Sequence, residues 1–69
     1  MKIQEGKQYV MRNGTITGKM LTDPLDPYGY PFRDPDSGND YTATGKYWEK
    51  GIDDEKDLVS EHEPTSGNG

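Results

Sequence analysis

Cysteine is absent from this chain of 69 residues, and apolar residues make up only 28% of it against 30% charged residues. Without cysteine there is no disulfide framework and no thiolate metal site, so a reducing cytoplasm is the expected compartment. No apolar run approaches the roughly 20 residues that a membrane span requires, and residues 1–7 do not resemble a signal peptide. We therefore expect a soluble protein with a small core.

The aromatic residues favour folding despite this polar composition. A chain this short buries only about 60% of the surface that it exposes when unfolded, so each large side chain matters. Five Tyr, one Trp and one Phe all lie between Tyr9 and Trp48, together with the turn signals. We expect one small β domain over residues 1–61 and a disordered tail over residues 62–69. Small domains without disulfides often oligomerise, so both a monomer and a homo-oligomer remain open.

The formal net charge of −5 is unevenly distributed along the chain. Up to Leu21, four basic residues face one acidic residue, a net charge of +3. From Thr22 onward, four basic residues face twelve acidic ones, a net charge of −8. Direct binding of nucleic acid by the whole molecule is therefore not expected.

Asn13-Gly14 predicts a β-hairpin, because Asn-Gly is the strongest two-residue signal for a type I′ turn. Residues 7–12 and 15–21 would form its two strands, with Met11 opposite Ile16. In that register one face of the hairpin turns toward the core, and its members are Tyr9, Met11, Ile16 and Met20.

A second hairpin is predicted around Thr44-Gly45, because the phrase Thr-Xaa-Thr-Gly-Lys occurs at residues 15–19 and again at 42–46. Its strands would be residues 41–43 and 46–48, which places Tyr41 opposite Trp48. Residues 57–61 then predict one short edge strand with Leu58 or Val59 turned inward, and a single helical turn over residues 53–58 is the alternative.

Four prolines between residues 22 and 37 exclude a continuous helix or a central strand and predict a long surface loop. The aromatic group Tyr28-Gly-Tyr-Pro-Phe32 lies in the middle of this loop, where it would either close the edge of a small core or contact a ligand. The predicted fold class is therefore all-β: a small antiparallel sheet of two hairpins plus a short edge strand, with a long proline-rich loop and a disordered C-terminal tail.

Motifs for catalysis or for cofactor binding are incomplete. Gly18-Lys19 and Gly45-Lys46 lack the following Ser or Thr, the upstream glycine and the helix of a phosphate-binding loop. Residues 34–40 resemble the start of a calcium loop, but the glycine comes one position too early and no bidentate Glu follows, so Asp and Asn there are interpreted as turn formers. His62 is the only histidine and has no nitrogen or sulfur co-ligands. We predict no enzyme activity, no cofactor and no metal site.

Two sets of side chains are candidates for binding. Aromatic residues dominate interface energetics, so the first set would anchor a protein partner; its members are Tyr28, Tyr30, Phe32, Tyr47 and Trp48. A basic set would hold the phosphates of a nucleotide between subunits of an oligomer, with tyrosines stacked on the bases; its members are Arg12, Lys19, Arg33 and Lys46.

Four stretches of the chain also carry a resemblance: residues 6–18, Tyr30-Pro-Phe32, residues 41–47 and Asp57-Leu-Val59. Together they resemble a type of short protein found in tailed bacteriophages, over about residues 5–61. The resemblance implies a small early or accessory product acting in the cytoplasm of the bacterial host. Many such proteins disable host defences, either by binding a defence protein or by sequestering a nucleotide signal. The leading hypothesis is inhibition of a host protein by direct contact.

The alternatives are an oligomeric sponge for a nucleotide second messenger, a mimic of DNA that displays the carboxylates of residues 23–63, and a minor component of the virion.

Overall fold

The computed structural model describes residues 1–48 and 52–63. Those residues form two small antiparallel sheets and no helix, which confirms the predicted all-β class. No helix that could cross a membrane is therefore present in the described ranges. The five strands are β1 (Gln8–Met11), β2 (Leu21–Thr22), β3 (Phe32–Arg33), β4 (Asp40–Tyr41) and β5 (Leu58–His62).

The first sheet pairs β1 with β5. Tyr9 lies opposite Glu61, and a bulge next to Val10 then brings Met11 opposite Leu58. Leu58 is 5% exposed and Val59 is 48% exposed, so the predicted edge strand is confirmed and Leu58 is the residue that turns inward. The predicted tail began at His62, but His62 is the last residue of β5. Residues 64–69 lie outside the described part of the chain.

The second sheet has the order β2-β3-β4, so its central strand lies inside the segment that was predicted to be a loop. This prediction was wrong because a proline removes only its own N–H donor. Phe32 and Arg33, which pair with both neighbouring strands, fall between Pro31 and Pro35. The carbonyl of Pro31 still accepts a hydrogen bond from the amide of Asp23 at 2.7 Å.

The first predicted turn is present, but its geometry differs by one residue. The amide of Gly14 donates to the carbonyl of Met11 at 2.8 Å, and the amide of Met11 donates to the carbonyl of Thr15 at 2.7 Å. These bonds enclose a three-residue loop whose last residue is Gly14, at φ 92°. Val10 therefore lies opposite Ile16, where the prediction had placed Met11.

This shift of one residue exchanges the inward and outward positions at Ile16 and Thr17, whereas Met20 is buried as predicted. Ile16, predicted to be in the core, is 45% exposed, whereas Thr17 is 1% exposed. Burial of Thr17 is compatible with its hydroxyl because the Oγ1 accepts from the amide of Tyr9 at 3.0 Å and donates to the carbonyl of Gly18 at 2.7 Å.

The second predicted turn has the same geometry as the first. The amide of Gly45 donates to the carbonyl of Thr42 at 3.0 Å, and the amide of Thr42 donates to the carbonyl of Lys46 at 3.0 Å. Gly45, like Gly14, has a positive φ, of 91°. The predicted strand pair beyond it was wrong, because Tyr41 belongs to β4 and pairs with β3. Its ring contacts that of Tyr47, with centroids 6.1 Å apart.

Both sheets contribute to one core. Its buried apolar members are Ile3, Tyr9, Met11, Met20, Tyr41 and Leu58, and the half-buried Phe32 and Tyr47 pack against them. Gly45 belongs to the same region, because a Cβ added there would lie 3.0 Å from the Cβ of Leu58. A larger residue at this turn would therefore push directly against the first sheet.

A buried carboxylate joins the residue 34–38 turn to the segment that follows the first turn. That segment was predicted to be the second strand of a hairpin, but it contacts β1 through an isolated bridge at Ile16, and Leu21 pairs with β3. Asp34 is 1% exposed, and its Oδ1 accepts from the amides of Gly18 at 2.9 Å and of Asp36 at 3.0 Å. Its Oδ2 accepts from the hydroxyl of Ser37 at 2.7 Å. The interpretation of this acidic segment as turn-forming is confirmed at Asp34, whose oxygens bind protein donors.

Candidate functional site

Three aromatic residues of the predicted binding set line one open cleft of 280 Å³: Tyr30, Tyr47 and Trp48. The remaining wall comes from Gly38, Asn39 and Asp40, at the turn that leads into β4. The cleft therefore brings together three segments that are far apart in sequence, namely the connection between β2 and β3, the start of β4, and the residues that follow the second turn. We call it the aromatic cleft.

The carboxylate of Asp26 orders the backbone that carries Tyr30. Its Oδ2 accepts from the amide of Tyr30 at 2.7 Å and from the amide of Tyr28 at 3.0 Å. These bonds are a local side-chain cap of the kind that Asp forms readily in turns. Tyr28 itself is 75% exposed and does not line the cleft, and Leu25 nearby in the chain is 88% exposed.

Trp48 is held by a hydrogen bond although it is 48% exposed. Its indole Nε1 donates to Oδ2 of Asp54 at 3.0 Å. The ring also makes an edge-to-face contact with Tyr47, with centroids 5.2 Å apart and planes at 88°. Such aromatic pairs stabilise by about 0.5–1.5 kcal/mol beyond their buried area, so the indole keeps a defined orientation at the surface.

Asp57 fixes the backbone at Tyr47, which lines the cleft. Its carboxylate is buried, and Oδ1 accepts from the amide of Tyr47 at 2.9 Å. Oδ2 accepts from Nζ of Lys46 and from the amide of Asp54, both at 2.9 Å. Burial alone would raise the pKa of Asp57, but the hydrogen bonds from Tyr47, Lys46 and Asp54 outweigh it and lower the pKa to about 2.

Two predicted phosphate-binding residues, Arg12 and Lys46, are brought together, but they meet carboxylates. Nζ of Lys46 lies 2.9 Å from both Asp53 and Asp57, which raises the pKa of Lys46 and lowers that of Asp53. Arg12 lies 3.5 Å from Asp57 and 3.9 Å from Asp53. We call these four residues the charged cluster. Its two cations are already compensated by two anions.

The other basic candidates lie elsewhere. Arg33 is on β3 and approaches Asp40, a wall residue of the aromatic cleft, at 3.7 Å. Lys19 lines a separate hollow of 290 Å³ together with Lys7 and His62. Phe32, predicted as an aromatic anchor, is half-buried and packs against the core. The four basic candidates therefore do not converge on one site, whereas three of the five aromatic candidates do.

The sequence reasoning missed the two carboxylates that position the cleft, Asp54 and Asp57. No local pattern distinguishes Asp57 from the twelve other acidic residues of the chain. Its donors on Tyr47 and Lys46 lie 10 and 11 positions away, and the guanidinium of Arg12 lies 45 positions away. Only the tertiary contact between the second turn and the segment before β5 creates the site. The one available signal was the clustering of Asp53, Asp54 and Asp57 within five residues of a short turn.

No protein-family profile, no curated protein and no solved structure matches this chain. Within residues 1–48 and 52–63, no three His, Asp or Glu side chains are placed to hold a metal ion. The aromatic cleft therefore provides the main basis for inferring what the molecule binds.

Proposed function

We propose that this protein is a non-enzymatic binding protein that inhibits a bacterial host factor in the cytoplasm by direct contact through the aromatic cleft. The observation that carries the proposal is the convergence of Tyr30, Tyr47 and Trp48 around one open depression. Clusters of Trp and Tyr are typical of the energetic centres of protein interfaces. The resemblance to short phage proteins supports the choice of a bacterial host factor as the partner.

The cleft is organised before a partner arrives, which favours affinity. The backbone of Tyr30 is capped by Asp26, and the indole of Trp48 is held by Asp54. Immobilising a flexible side chain at an interface costs about 0.5–1.5 kcal/mol, and side chains that are already ordered avoid part of this cost. The strongly exposed Tyr28 provides further apolar area for a partner.

The charged cluster gives less support to the nucleotide sponge. A phosphate at Arg12 and Lys46 would compete with Asp53 and Asp57, which already contact both cations. Replacing a carboxylate at 2.9 Å by a phosphate also leaves a buried Asp57 without its cationic partner. A protein partner at the aromatic cleft requires no such exchange.

The test is affinity capture from bacterial lysate with a matched pair of variants. Trp48 and Val59 are both 48% exposed, but Val59 lies on β5 and does not line the cleft. The captured protein is identified by mass spectrometry, purified and titrated by calorimetry, and its own activity is measured with and without this protein. We expect Trp48→Ala to weaken binding by about 2 kcal/mol or more, typical of an interface hot spot, and Val59→Ala to leave it unchanged.

Native mass spectrometry of the protein purified from a bacterial host tests the competing hypothesis in the same preparation. A discrete oligomer that carries extra mass of nucleotide size would contradict the proposal and support the sponge. So would a folded Trp48→Ala variant that binds and inhibits the captured protein as well as the wild type does.

A further inference from the structure

We propose that the aromatic cleft recognises a cationic side chain, the guanidinium of an Arg or the ammonium of a Lys on the partner. This inference rests on the proposed function only in taking the partner to be a protein. The chemistry of the cleft itself is independent of the partner's identity. Three features carry the proposal: the arrangement of the rings, the carboxylates bonded to or lining the cleft, and a cation already bound by one of its rings.

The rings are arranged as the walls of a corner. Tyr47 and Trp48 lie at 88° to each other, and Tyr30 provides a third ring around the same depression. The face of an aromatic ring carries partial negative charge, so a cation within about 6 Å of a ring centre is attracted to it, most strongly by Trp. A cation in this corner would lie close to more than one ring, which is the arrangement of known sites for quaternary ammonium groups.

A carboxylate increases the attraction of the indole for a cation. Asp54 accepts the Nε1 hydrogen bond of Trp48 through Oδ2 at 3.0 Å, while its Oδ1 lies 3.9 Å from Nζ of Lys56. The part of its negative charge that Lys56 does not compensate polarises the indole so that the face of the ring becomes more electron-rich. The pKa of Asp54 is lowered, first by its hydrogen bond from the amide of Lys56, so the group is ionised at neutral pH.

Asp40 places a second carboxylate in the wall of the cleft, with 56% of its side chain exposed. It already lies 3.7 Å from the guanidinium of Arg33, and a carboxylate has about four acceptor positions, so it can accept a second cationic donor. The described residues that line the cleft include one carboxylate, that of Asp40, and no basic side chain, which disfavours an anionic ligand here and favours a cationic one.

Tyr47 already binds a cation within the molecule. Nζ of Lys56 lies 4.8 Å from the centroid of the Tyr47 ring, and Lys56 does not line the cleft. The ring is therefore placed where its interaction with an ammonium group is part of the fold.

The experiment uses the full chain and two probes of nearly the same shape, the cationic N-acetyl-arginine amide and the neutral N-acetyl-citrulline amide. Trp48 is the only tryptophan, so its fluorescence and its indole N–H resonance report on the cleft without labelling. We expect a saturable change with the arginine probe and binding at least about tenfold weaker for citrulline, because the neutral urea group loses the cation–π attraction and the charged hydrogen bond to Asp40.

Three variants locate the effect. Tyr30→Ala and Asp40→Asn should each weaken arginine binding by about two- to fivefold, the equivalent of about 0.5–1 kcal/mol for an exposed cation–π or ion pair. Val59→Ala, outside the cleft, should leave it unchanged. Asp40→Asn preserves the size of the side chain, so it tests the charge even if removal of the Tyr30 ring disturbs the fold.

Equal binding of arginine and citrulline, or no saturable response of wild-type Trp48 to arginine, would overturn this inference. Either result is compatible with a protein partner that binds the cleft by apolar contact alone. Conversely, selective arginine binding by a protein that inhibits no host factor would leave the cationic site intact and refute the proposed function.

Discussion

Replacement of Asp57 by Asn tests whether one buried carboxylate holds the second turn, the charged cluster and the base of the cleft together. The amide keeps the size of the side chain and can still accept the hydrogen bond from the amide of Tyr47. Its NH₂ group would take the place of Oδ2 and face both Nζ of Lys46 and the amide of Asp54, which are donors. Both donors would then lose this acceptor, and two cations would lose a counter-ion.

The pKa of Asp57 gives the magnitude and the sign of the effect. Its pKa is lowered from 3.8 to about 2, and each unit corresponds to about 1.4 kcal/mol, so ionised Asp57 contributes about 2 kcal/mol to the free energy of unfolding. Because the folded pKa is the lower one, this contribution is complete above the unfolded pKa near 4 and is lost as the pH falls toward 2. With the unmet hydrogen bond added, we expect Asp57→Asn to cost about 3 kcal/mol at neutral pH.

Urea unfolding followed by the fluorescence of Trp48 measures this effect between pH 7 and pH 2. The wild type should lose about 2 kcal/mol more than Asp57→Asn over the acid range, because the variant lacks the titrating group. A domain of this size is stable by only about 3–5 kcal/mol, so sucrose is added to both proteins to keep the variant folded. Glu5→Gln, which changes an exposed carboxylate, is the control and should follow the wild type. Parallel pH profiles for the wild type and Asp57→Asn would refute the reasoning.

Three further predictions test the register and the core. Gly14 and Gly45 have nearly the same positive φ, but of the two only Gly45 lies where an added Cβ would meet core atoms within 3.4 Å. Gly14→Ala should cost about 1 kcal/mol from backbone strain alone, and Gly45→Ala should be more destabilising in urea unfolding. Equal costs would contradict the packing described for Gly45. Thr17→Val should cost about 1–3 kcal/mol of stability because it leaves the buried amide of Tyr9 without its acceptor. Ile16→Thr, at an exposed position, should change stability by less than about 0.5 kcal/mol. The reverse order of the two effects would support the register predicted from sequence. Burial raises the pKa of Tyr41 from 10.0 to about 12, so the contribution of its protonated phenol to the free energy of unfolding is present below pH 10 and is lost as the pH rises through 12. Tyr41→Phe should reduce this alkaline loss of stability in urea unfolding. An unchanged dependence of stability on pH would show that the phenol is not desolvated.

Both turns were located correctly from sequence, and both were wrong in the same detail. Gly14 and Gly45 were interpreted as the second residue of a two-residue turn, but each is the third residue of a three-residue loop. A glycine at positive φ satisfies either geometry, so local chemistry does not distinguish them. The choice depends on which side chains can be buried, and at the first turn Thr17 is compatible with burial because its hydroxyl bonds to the neighbouring backbone.

Composition and turn chemistry by themselves determined the all-β class, the positions of the turns and the presence of a strand near the end of the domain, because these follow from local backbone preference and from which residues are apolar. The structure decided that Leu58, and not Val59, is the residue of this strand that turns inward. The aromatic side chains were also identified as candidates from residue type alone. Only the tertiary structure decided that β1 pairs with β5, that β3 lies at the centre of its sheet, and that Tyr30 joins Tyr47 and Trp48 in one cleft. Those contacts join residues many positions apart and depend on the buried Asp57 and Asp34, whose roles exist only when the folded chain brings donors to them.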